Sequence, residues 1–363
     1  MVLEKEETKT RKIPLGLLAD GTMIAFRGFA LFSQDKKGGR WRKVARIPGI
    51  SLLKRLASRF SLLCRLFRLY PRCSEIVNGN LFFAVCGYCY VFDVVEHRFL
   101  RIEPFRPGMT APLALAPFQN GVLFGDYFGN PDKLPVFLRF VSPSFSVSLA
   151  SFSGVRHIHC VIASDQSPNL FFVFTGDEDN EVKIYEVCIN PTNLGDVQLR
   201  TIVGGSQKYR SCCGVISSGF LFYATDTPYL RNGLFRVGIS GSETPDLLAP
   251  LSGTTIYGHQ NAAGLLFSTA VEHNLAKNND GTNKRIPIDG KAGGVLSKNS
   301  FLYYLPRDGK ELLFVDSGKK DIWHHYFGFG TFLFASTQNP SVFVYYSLAL
   351  VGHKNRIVRL SIR

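Results

Sequence analysis

The chain has 363 residues, of which 45% are hydrophobic and 19% are charged, so its composition excludes a disordered protein and allows a large core. Forty-two Lys and Arg against 28 Asp and Glu give a formal net charge of +14, which favours anionic partners. Zinc-finger spacing, an RNP-like run and a basic region with heptads are missing from the sequence, and we therefore do not expect nucleic acid as the partner.

The N-terminal segment, MVLEKEETKTRKIPLG, is charged where a secretory signal needs an apolar core. No stretch of the sequence reaches the length of an apolar membrane span. From these two features we expect a cytoplasmic protein.

A weak repeat runs along the chain: a turn residue, a short aromatic or aliphatic run, a polar turn and a second run. It starts in DGTMIAF (Asp20), NGNLFFAV (Asn78), NGVLFGDYF (Asn120), PNLFFVFTGD (Pro168), SGFLFYATD (Ser218), AGLLFSTAVE (Ala263), NSFLYYLPRDG (Asn299) and GTFLFAS (Gly330). Its interval of roughly 30 to 50 residues is typical of four-stranded propeller blades. We predict an all-β protein with a single β-propeller domain over residues 1–363. Seven blades are favoured, and six, eight or a pair of β-sandwiches remain open.

Residues 51–70 interrupt this pattern with the sequence SLLKRLASRFSLLCRLFRLY. Apolar residues recur there at helical spacing, with basic residues between them: Leu52, Leu56, Phe60, Leu63, Phe67 and Tyr70. The segment predicts one inserted basic amphipathic helix. Such a helix can make a peripheral membrane contact. The alternative is that it covers part of the propeller with its basic side in water.

The cysteines predict small core residues rather than a disulfide framework, because most of them lie inside apolar runs. They are Cys64, Cys73, Cys86, Cys89, Cys160, Cys188, Cys212 and Cys213. Cys86 and Cys89 match the CxxC pattern, but the period of a strand would place them on opposite faces. A zinc or redox role is therefore the weaker interpretation.

Three polar clusters between Arg156 and Arg210 are separated by strand-like runs: RHIH, GDEDNE and GGSQKYR. We predict strands over residues 157–164, 169–175, 182–189 and 198–203. Because successive antiparallel strands reverse direction, all three clusters should emerge at one rim of the sheet. The clusters bring candidate site residues to that rim: Arg156, His157, His159, Asp177, Gln207, Tyr209 and Arg210.

The same topology brings polar residues of other predicted blades to that rim. Asp126, Tyr127, Asp226 and Glu272 each follow a strand, whereas Tyr257 and His259 precede one. Ligands commonly bind in such clefts. The structural alternatives are solvated turns and hydrogen-bonded links between blades.

We assign the predicted site residues to two roles. The predicted catalytic residues are His157, His159, Asp177, Tyr209, Arg210 and Asp226. The predicted substrate-binding residues are Asp126, Tyr127, Arg156, Gln207, Tyr257, His259 and Glu272.

Seven segments in chain order, NGVLFGDYFGNP, VRHIH, FTGDEDNE, GSQKYR, ATDT, FSTAVE and HYFGFG, resemble those of sialidase-like or BNR-repeat propeller proteins associated with microbial polysaccharide genes. A degenerate Asp-box fits the same group and runs from Ser33 through Asp35, Gly38 and Gly39 to Trp41. It departs from the usual form by an extra residue and by the missing Thr before the Trp. The resemblance implies carbohydrate chemistry.

A sialidase needs an arginine triad, a Tyr nucleophile aided by Glu, and an Asp acid. Arg156 and Arg210 match two of the arginines, and Tyr209 or Tyr257 matches the Tyr. A complete set cannot be placed on this sequence.

The resemblance implies an enzyme on an acidic polysaccharide or glycan, whose partner would be that glycan. In a glycosidase, two rim carboxylates such as Asp177 and Asp226 would act together. In a polysaccharide lyase, His157 or His159 would be the base, Tyr209 an acid or base, and Arg210 the group that neutralises a uronate.

Two functions without turnover are the alternatives: a glycan-binding or assembly protein of a polysaccharide pathway, and a protein-interaction scaffold. No cofactor is required by any of the three functions. A divalent metal also fits, because His157 and His159 form an H-x-H pair on one strand face, with Gln207 or His259 as the third ligand.

Overall fold

The computed structural model describes residues 2–35, 39–241, 244–322, 328–353 and 356–363. Gly38 of the Asp-box and residues 325–327 of the HYFGFG segment lie outside these ranges, so the predictions that involve them are not compared with the structure.

The described chain consists mainly of β-strands. It begins with β1 (Leu3–Lys9), β2 (Ile13–Leu17), β3 (Met23–Arg27), β4 (Ala30–Gln34), β5 (Arg42–Arg46), α1 (Leu52–Ala57) and α2 (Ser61–Leu66). It continues with β6 (Ser74–Val77), β7 (Asn80–Val85), β8 (Tyr88–Asp93), β9 (Arg98–Pro104), β10 (Ala116–Phe118), β11 (Gly121–Gly125), β12 (Val136–Val141) and β13 (Ser146–Phe152).

The second half continues the same pattern. It contains β14 (Ile158–Ala163), β15 (Leu170–Thr175), β16 (Lys183–Ile189), β17 (Val197–Gly204), a 3-10 helix (Gln207–Tyr209), β18 (Ser211–Ser217), β19 (Phe220–Thr225), β20 (Asn232–Gly238) and β21 (Asp246–Leu251). The last elements are β22 (Thr254–Asn261), β23 (Gly264–Ala270), β24 (Leu275–Lys277), β25 (Asn283–Arg285), β26 (Asn299–Pro306), β27 (Leu313–Lys319), β28 (Thr331–Thr337), β29 (Val342–Leu348) and β30 (Arg356–Ile362).

The strands form a β-propeller. Five separate four-stranded antiparallel sheets follow one another: β6–β9, β10–β13, β14–β17, β18–β21, and β22, β23, β26 and β27. Strands β24 and β25 form a small ribbon inserted in the last of these. The first strands of the sheets contact one another in the closed order β2, β6, β10, β14, β18, β22, β28 and back to β2. The all-β prediction is confirmed, and the ring arrangement explains the regular spacing of the sequence repeat.

The sequence repeat favours seven blades, whereas five four-stranded sheets stand alone among the described strands. The two ends of the chain share one eight-stranded sheet in the order β1-β30-β29-β28-β2-β3-β4-β5. Its two halves are joined by parallel pairing of β2 with β28, at Gly16 with Ser336 and at Leu17 with Thr337. The N-terminal strand β1 pairs along its whole length with β30.

Aromatic and aliphatic side chains fill the spaces between neighbouring sheets. One buried cluster joins β10–β13 to β14–β16, and another joins β14–β17 to β18–β20. A smaller cluster lies between the two halves of the eight-stranded sheet and consists of Leu17, Met23, Ala335, Val344 and Ile357. Face-to-face packing of pleated sheets thus accounts for the high aromatic content.

The prediction of one continuous helix over residues 51–70 is wrong. The segment forms two short helices, because Phe60 is extended (φ −102, ψ 118) and the Ser58 hydroxyl donates to the Arg55 carbonyl at 2.8 Å. Its apolar stripe also faces outward, with Leu52 70% and Phe60 63% exposed, and only Tyr70 at its end is buried. Among the described residues, no helix has the length and apolarity needed to cross a bilayer.

The cysteines are all free thiols, and most of them are buried. Cys188 is exposed, contrary to the prediction, because its side of β16 faces solvent. Cys86 lies in the turn between β7 and β8 rather than inside a strand, with a positive φ of 52°. The CxxC pair therefore spans a hairpin turn and the start of β8.

Candidate functional site

The four strands that the sequence predicts between residues 157 and 203 are present as β14 to β17, which form one blade. The inner strands β14 and β18 begin, and their antiparallel partners β15 and β19 end, at one rim of the ring. His157 precedes β14 and Asp177 follows β15, whereas Arg210 precedes β18 and Asp226 follows β19. The structure therefore brings the polar ends of two adjacent blades together.

Two histidines and a carboxylate form the centre of this cluster. His157 Nε2 lies 3.0 Å from His159 Nε2, and His159 Nε2 lies 3.1 Å from Asp177 Oδ1. The third edge, from His157 Nε2 to Asp177 Oδ1, is 3.4 Å. The two imidazoles are almost fully buried, while 17% of the Asp177 side chain is exposed. The three ligand-type atoms thus lie within 3.4 Å of one another, and Asp177 is the most exposed of the three residues.

A second group of polar side chains touches the far side of His159. Its Nδ1 lies 2.9 Å from Cys212 Sγ, and the Cys212 thiol donates to Asp226 Oδ2 at 3.2 Å. Arg210 connects the two groups, because its Nη2 lies 3.0 Å from Asp177 Oδ1 and 3.6 Å from Asp226 Oδ2. One guanidinium is therefore shared by two buried carboxyl groups.

The two carboxyl groups differ in acidity. Burial by itself would raise the pKa of Asp177, but the positive charge of Arg210 is the largest of the effects that outweigh it and hold that pKa well below its usual range. Burial raises the pKa of Asp226 to about 8, because the attraction of Arg210 offsets only part of the cost. Burial also lowers the pKa of His159 to about 4, which keeps that imidazole neutral at pH 7.

The turn that carries Asp177 is fixed by a buried glutamate. Glu181 accepts hydrogen bonds from the backbone N–H groups of Arg156 (3.2 Å) and Asp177 (3.3 Å). Gly176 has a positive φ of 75°, and a Cβ there would lie 2.3 Å from the backbone of Glu181. Glu181 of the acidic run is therefore a buried support for Asp177, whereas Asp179 of the same turn is exposed to solvent.

Three other predicted residues surround this centre. The Tyr127 ring stacks obliquely on His157 with 4.4 Å between ring centroids. Arg156 Nη1 lies 3.4 Å from Asp177 Oδ2, and Gln207 Nε2 donates to the Asp177 carbonyl at 2.8 Å. Among the described residues, Gln207 Oε1, Arg210 Nε and Asp226 Oδ1 are buried without a hydrogen-bond partner. Such atoms are available to a ligand or to water.

Asp126 lies apart from this centre. Its side chain is completely buried and accepts hydrogen bonds from Arg139 Nε at 2.6 Å, Arg106 Nη1 at 3.1 Å and the Phe137 N–H at 3.2 Å. These contacts satisfy both carboxylate oxygens. The predicted substrate-binding role of Asp126 therefore receives no support from its position.

The remaining predicted residues are also dispersed. Tyr209 packs against the hydrophobic cluster between two blades. Tyr257 is buried near Arg72, and burial raises the pKa of its hydroxyl. His259 lines a cavity of about 270 Å³ inside the ring, and burial lowers its pKa to about 4. Glu272 lies near Arg210, and burial raises the pKa of its carboxyl.

Cys212 is the contact residue that sequence reasoning missed. Cys212 and Cys213 are adjacent in a strand, so their side chains point to opposite faces, and one of the two must face the neighbouring inner strand. This alternation was the available signal. The third possible metal ligand beside His157 and His159 also differs from the prediction. It is Asp177, and neither Gln207 nor His259.

No protein-family model matches the sequence, and no curated protein matches it. Solved structures do resemble the fold. One is the crystal structure of the mitotic checkpoint complex, with a TM-score of 0.56 and 8% identity over 98% of this chain and 93% of that chain. Another is the Cps50 (Swd1) β-propeller domain of Myceliophteria thermophila, with a TM-score of 0.52 and 10% identity over the full length of both chains.

At such low identity these structures support the β-propeller fold alone. Neither is described as a sialidase or as a polysaccharide protein. The sequence resemblance is thus supported as far as the propeller and no further.

Proposed function

We propose that this protein is a non-catalytic interaction propeller that binds an acidic, partly apolar protein segment on residues 51–68, here called the insertion. The observation that carries the proposal is the outward-facing apolar surface of the insertion. Its exposed side chains are Leu52 (70%), Leu53 (78%), Leu56 (43%), Phe60 (63%), Leu62 (44%), Leu66 (37%) and Phe67 (59%). Several exposed apolar side chains on one short segment are typical of an interaction site.

The insertion is held firmly on the ring by two of its basic residues. Arg55 donates to the carbonyls of Ile50 (3.2 Å) and Ile47. Arg65 makes a bidentate ion pair with Asp321, with both N–O distances at 2.9 Å. A surface held in place in this way loses little conformational freedom on binding, which favours recognition of a partner.

The chemistry of the partner follows from the charge around the apolar surface. A cavity of about 750 Å³ lies between the insertion and the ring, and basic residues that face solvent line it: Arg11, Arg27 and Arg59. Lys54 and Arg68 are exposed on the insertion itself. A partner with leucine-like side chains and flanking carboxylates would match both features. A chain with a similar fold occurs in the crystal structure of the mitotic checkpoint complex, which is a protein assembly.

The test uses a designed helical peptide with one leucine face and one glutamate face, and a second peptide with lysine in place of glutamate. Fluorescence anisotropy with the full chain should detect binding of the glutamate peptide only. The double variant Leu53→Glu with Phe60→Glu should lose this binding. Leu199→Glu is the matched control, because Leu199 is 44% exposed on an outer strand far from the insertion in sequence.

Equal binding of both peptides, or unchanged binding by the double variant, would contradict the proposal. Co-sedimentation with anionic vesicles tests the peripheral membrane contact. Vesicle binding that the double variant abolishes, without any peptide binding, would favour the membrane and refute a protein partner.

A carbohydrate function at the rim is the second candidate. It is supported by the partnerless buried atoms of Gln207, Arg210 and Asp226 beside His157 and His159. Purified protein would be screened with acidic and neutral polysaccharides for unsaturated uronate, reducing ends and thermal shift. Uronate absorbance would establish a lyase, reducing ends alone a glycosidase, and a thermal shift alone a binding protein. Silence in all three would eliminate this candidate.

We also propose that the eight-stranded sheet works as two blades, which gives a ring of seven. The closed order of inner strands and the small apolar cluster between the two halves support this count. The N-terminal strand β1 would then complete the last blade. Deleting residues 1–9 should lower the melting temperature markedly, because it removes the whole outer strand of that blade. An unchanged melting temperature would contradict this role of β1.

A further inference from the structure

We propose that His157, His159 and Asp177 form a binding site for one divalent transition-metal ion, with Zn²⁺ as the preferred ion. The three residues supply two imidazole nitrogens and one carboxylate oxygen. Their ligand atoms lie within 4.8 Å of one another. This site is separate from the insertion, so it stands or falls independently of the proposed protein partner.

The hydrogen bonds of the two imidazoles direct both Nε2 atoms toward the ion as acceptors. His157 Nδ1 lies 3.0 Å from the Phe128 carbonyl, which can only accept, so the proton of His157 resides on Nδ1. When the Cys212 thiol donates to Asp226, its sulfur is left to accept from His159 Nδ1. Each imidazole is thus oriented by an outer partner, as metal-binding histidines usually are.

The distances between the three atoms match those around a small metal ion. For metal–ligand distances of about 2.0–2.1 Å in a tetrahedron, neighbouring ligand atoms lie about 3.3 Å apart. The observed edges are 3.0, 3.1 and 3.4 Å. Three acceptor atoms this close repel one another unless a proton or a cation lies between them. A divalent ion relieves this repulsion, and with three protein ligands its fourth position is available to water.

The neighbouring trio of His159, Cys212 and Asp226 fits an ion less well. The longer Zn–S distance of about 2.3 Å requires about 3.5 Å between sulfur and a ligand nitrogen. Cys212 Sγ lies only 2.9 Å from His159 Nδ1, which suits a hydrogen bond instead. Cys212 is therefore an outer partner of the site.

The surrounding charges are compatible with a bound cation. Arg210 Nη2 lies 3.0 Å from Asp177 Oδ1 and occupies the position of an outer hydrogen-bond donor to a ligating carboxylate. Asp226 Oδ2 lies 3.7 Å from His159 Nδ1 and 3.6 Å from Arg210 Nη2, on the outer side of the three proposed ligands. Imidazole-rich sites of this kind favour Zn²⁺ over Mn²⁺.

The test measures metal binding by the full chain after dialysis against a chelator and then against chelator-free buffer. Zinc sulfate is added, and bound zinc is quantified by mass spectrometry after gel filtration. Affinity is obtained by competition with a chromophoric chelator. The parent should bind one equivalent, and Mn²⁺ should not displace it. Asp177→Asn and His157→Gln should weaken binding by at least about 100-fold.

One variant serves as the control. His259→Gln changes a partly buried histidine outside the proposed ligand set, so it should still bind one equivalent with the affinity of the parent. The visible spectrum of the Co²⁺ form adds a readout that does not depend on any variant folding. Tetrahedral d–d bands without a thiolate charge-transfer band are expected.

Three results would overturn the proposal. The first is failure of the parent to retain zinc offered in equimolar amount. The second is unchanged affinity in folded Asp177→Asn, as judged by circular dichroism. The third is a thiolate band in the cobalt spectrum, which would assign the ion to the neighbouring trio.

Discussion

Replacing Asp126 by Ala should destabilise the protein strongly, because this residue is a structural ion-pair partner rather than part of the candidate site. The carboxylate is fully buried and accepts three hydrogen bonds, two of them from Arg106 and Arg139. Hydrogen bonds to charged groups contribute about 1.5–3 kcal/mol each. The two arginines are about a quarter exposed and regain some hydration, so we expect a loss of about 3–5 kcal/mol.

This loss can be measured as a change in melting temperature. An unfolding entropy of about 2.1 cal/mol/K per residue over 363 residues converts it into a decrease of about 4–7 °C. Differential scanning calorimetry of Asp126→Ala is the assay. Asp132→Ala, an exposed aspartate of the following loop, is the matched control and should change stability by less than about 0.5 kcal/mol. A decrease below 1 °C for Asp126→Ala would refute the conclusion that this buried ion pair stabilises the blade.

Three further predictions concern other parts of the ring. Gly176→Ala should lower the free energy of unfolding by more than about 2 kcal/mol in thermal melts, because the added Cβ would lie 2.3 Å from the backbone of Glu181. Gly205 has a similar positive φ but open space around it, so Gly205→Ala should lower the free energy of unfolding by only about 1 kcal/mol. Burial raises the pKa of Glu75 to about 7, so folding stability is lost as the pH rises from about 4.3 through 7. In urea titrations Glu75→Gln should therefore equal the parent at low pH and exceed its free energy of unfolding by about 3–4 kcal/mol at pH 8. Parallel pH profiles of the two proteins would contradict this prediction. Arg65→Ala should speed proteolysis within the insertion, whereas Arg59→Ala should not; equal cleavage rates would show that the ion pair does not hold the insertion.

The strand pattern of the candidate site was predictable from sequence because the strands are short, aromatic and separated by clear turns. Strands β14 to β17 lie within a residue or two of the predicted ranges. Antiparallel order then requires that His157 and Asp177 lie at the same rim. The approach of Arg210 and Asp226 followed from the same reasoning applied to the next blade.

The insertion shows where a periodic pattern misleads. Leu52 and Phe60 share a helical stripe, and such a stripe usually faces the core. Here Arg55 and Arg65 bind backbone carbonyls and Asp321 on the ring, and this anchoring turns the apolar stripe outward. Hydropathy alone cannot reveal which face meets tertiary partners.

The all-β class, the recurring four-stranded unit and the rim at which polar residues emerge are predictable from the sequence, because they depend on local alternation and on the reversal of successive strands. Which of these polar residues contact one another depends on the folded ring. Asp126 forms an ion pair with Arg139, and Cys212 of the next blade contacts His159. The folded ring also joins β2 to β28 in one sheet. These outcomes depend on contacts between residues distant in the chain, whose distances and angles are set by the closure of the ring.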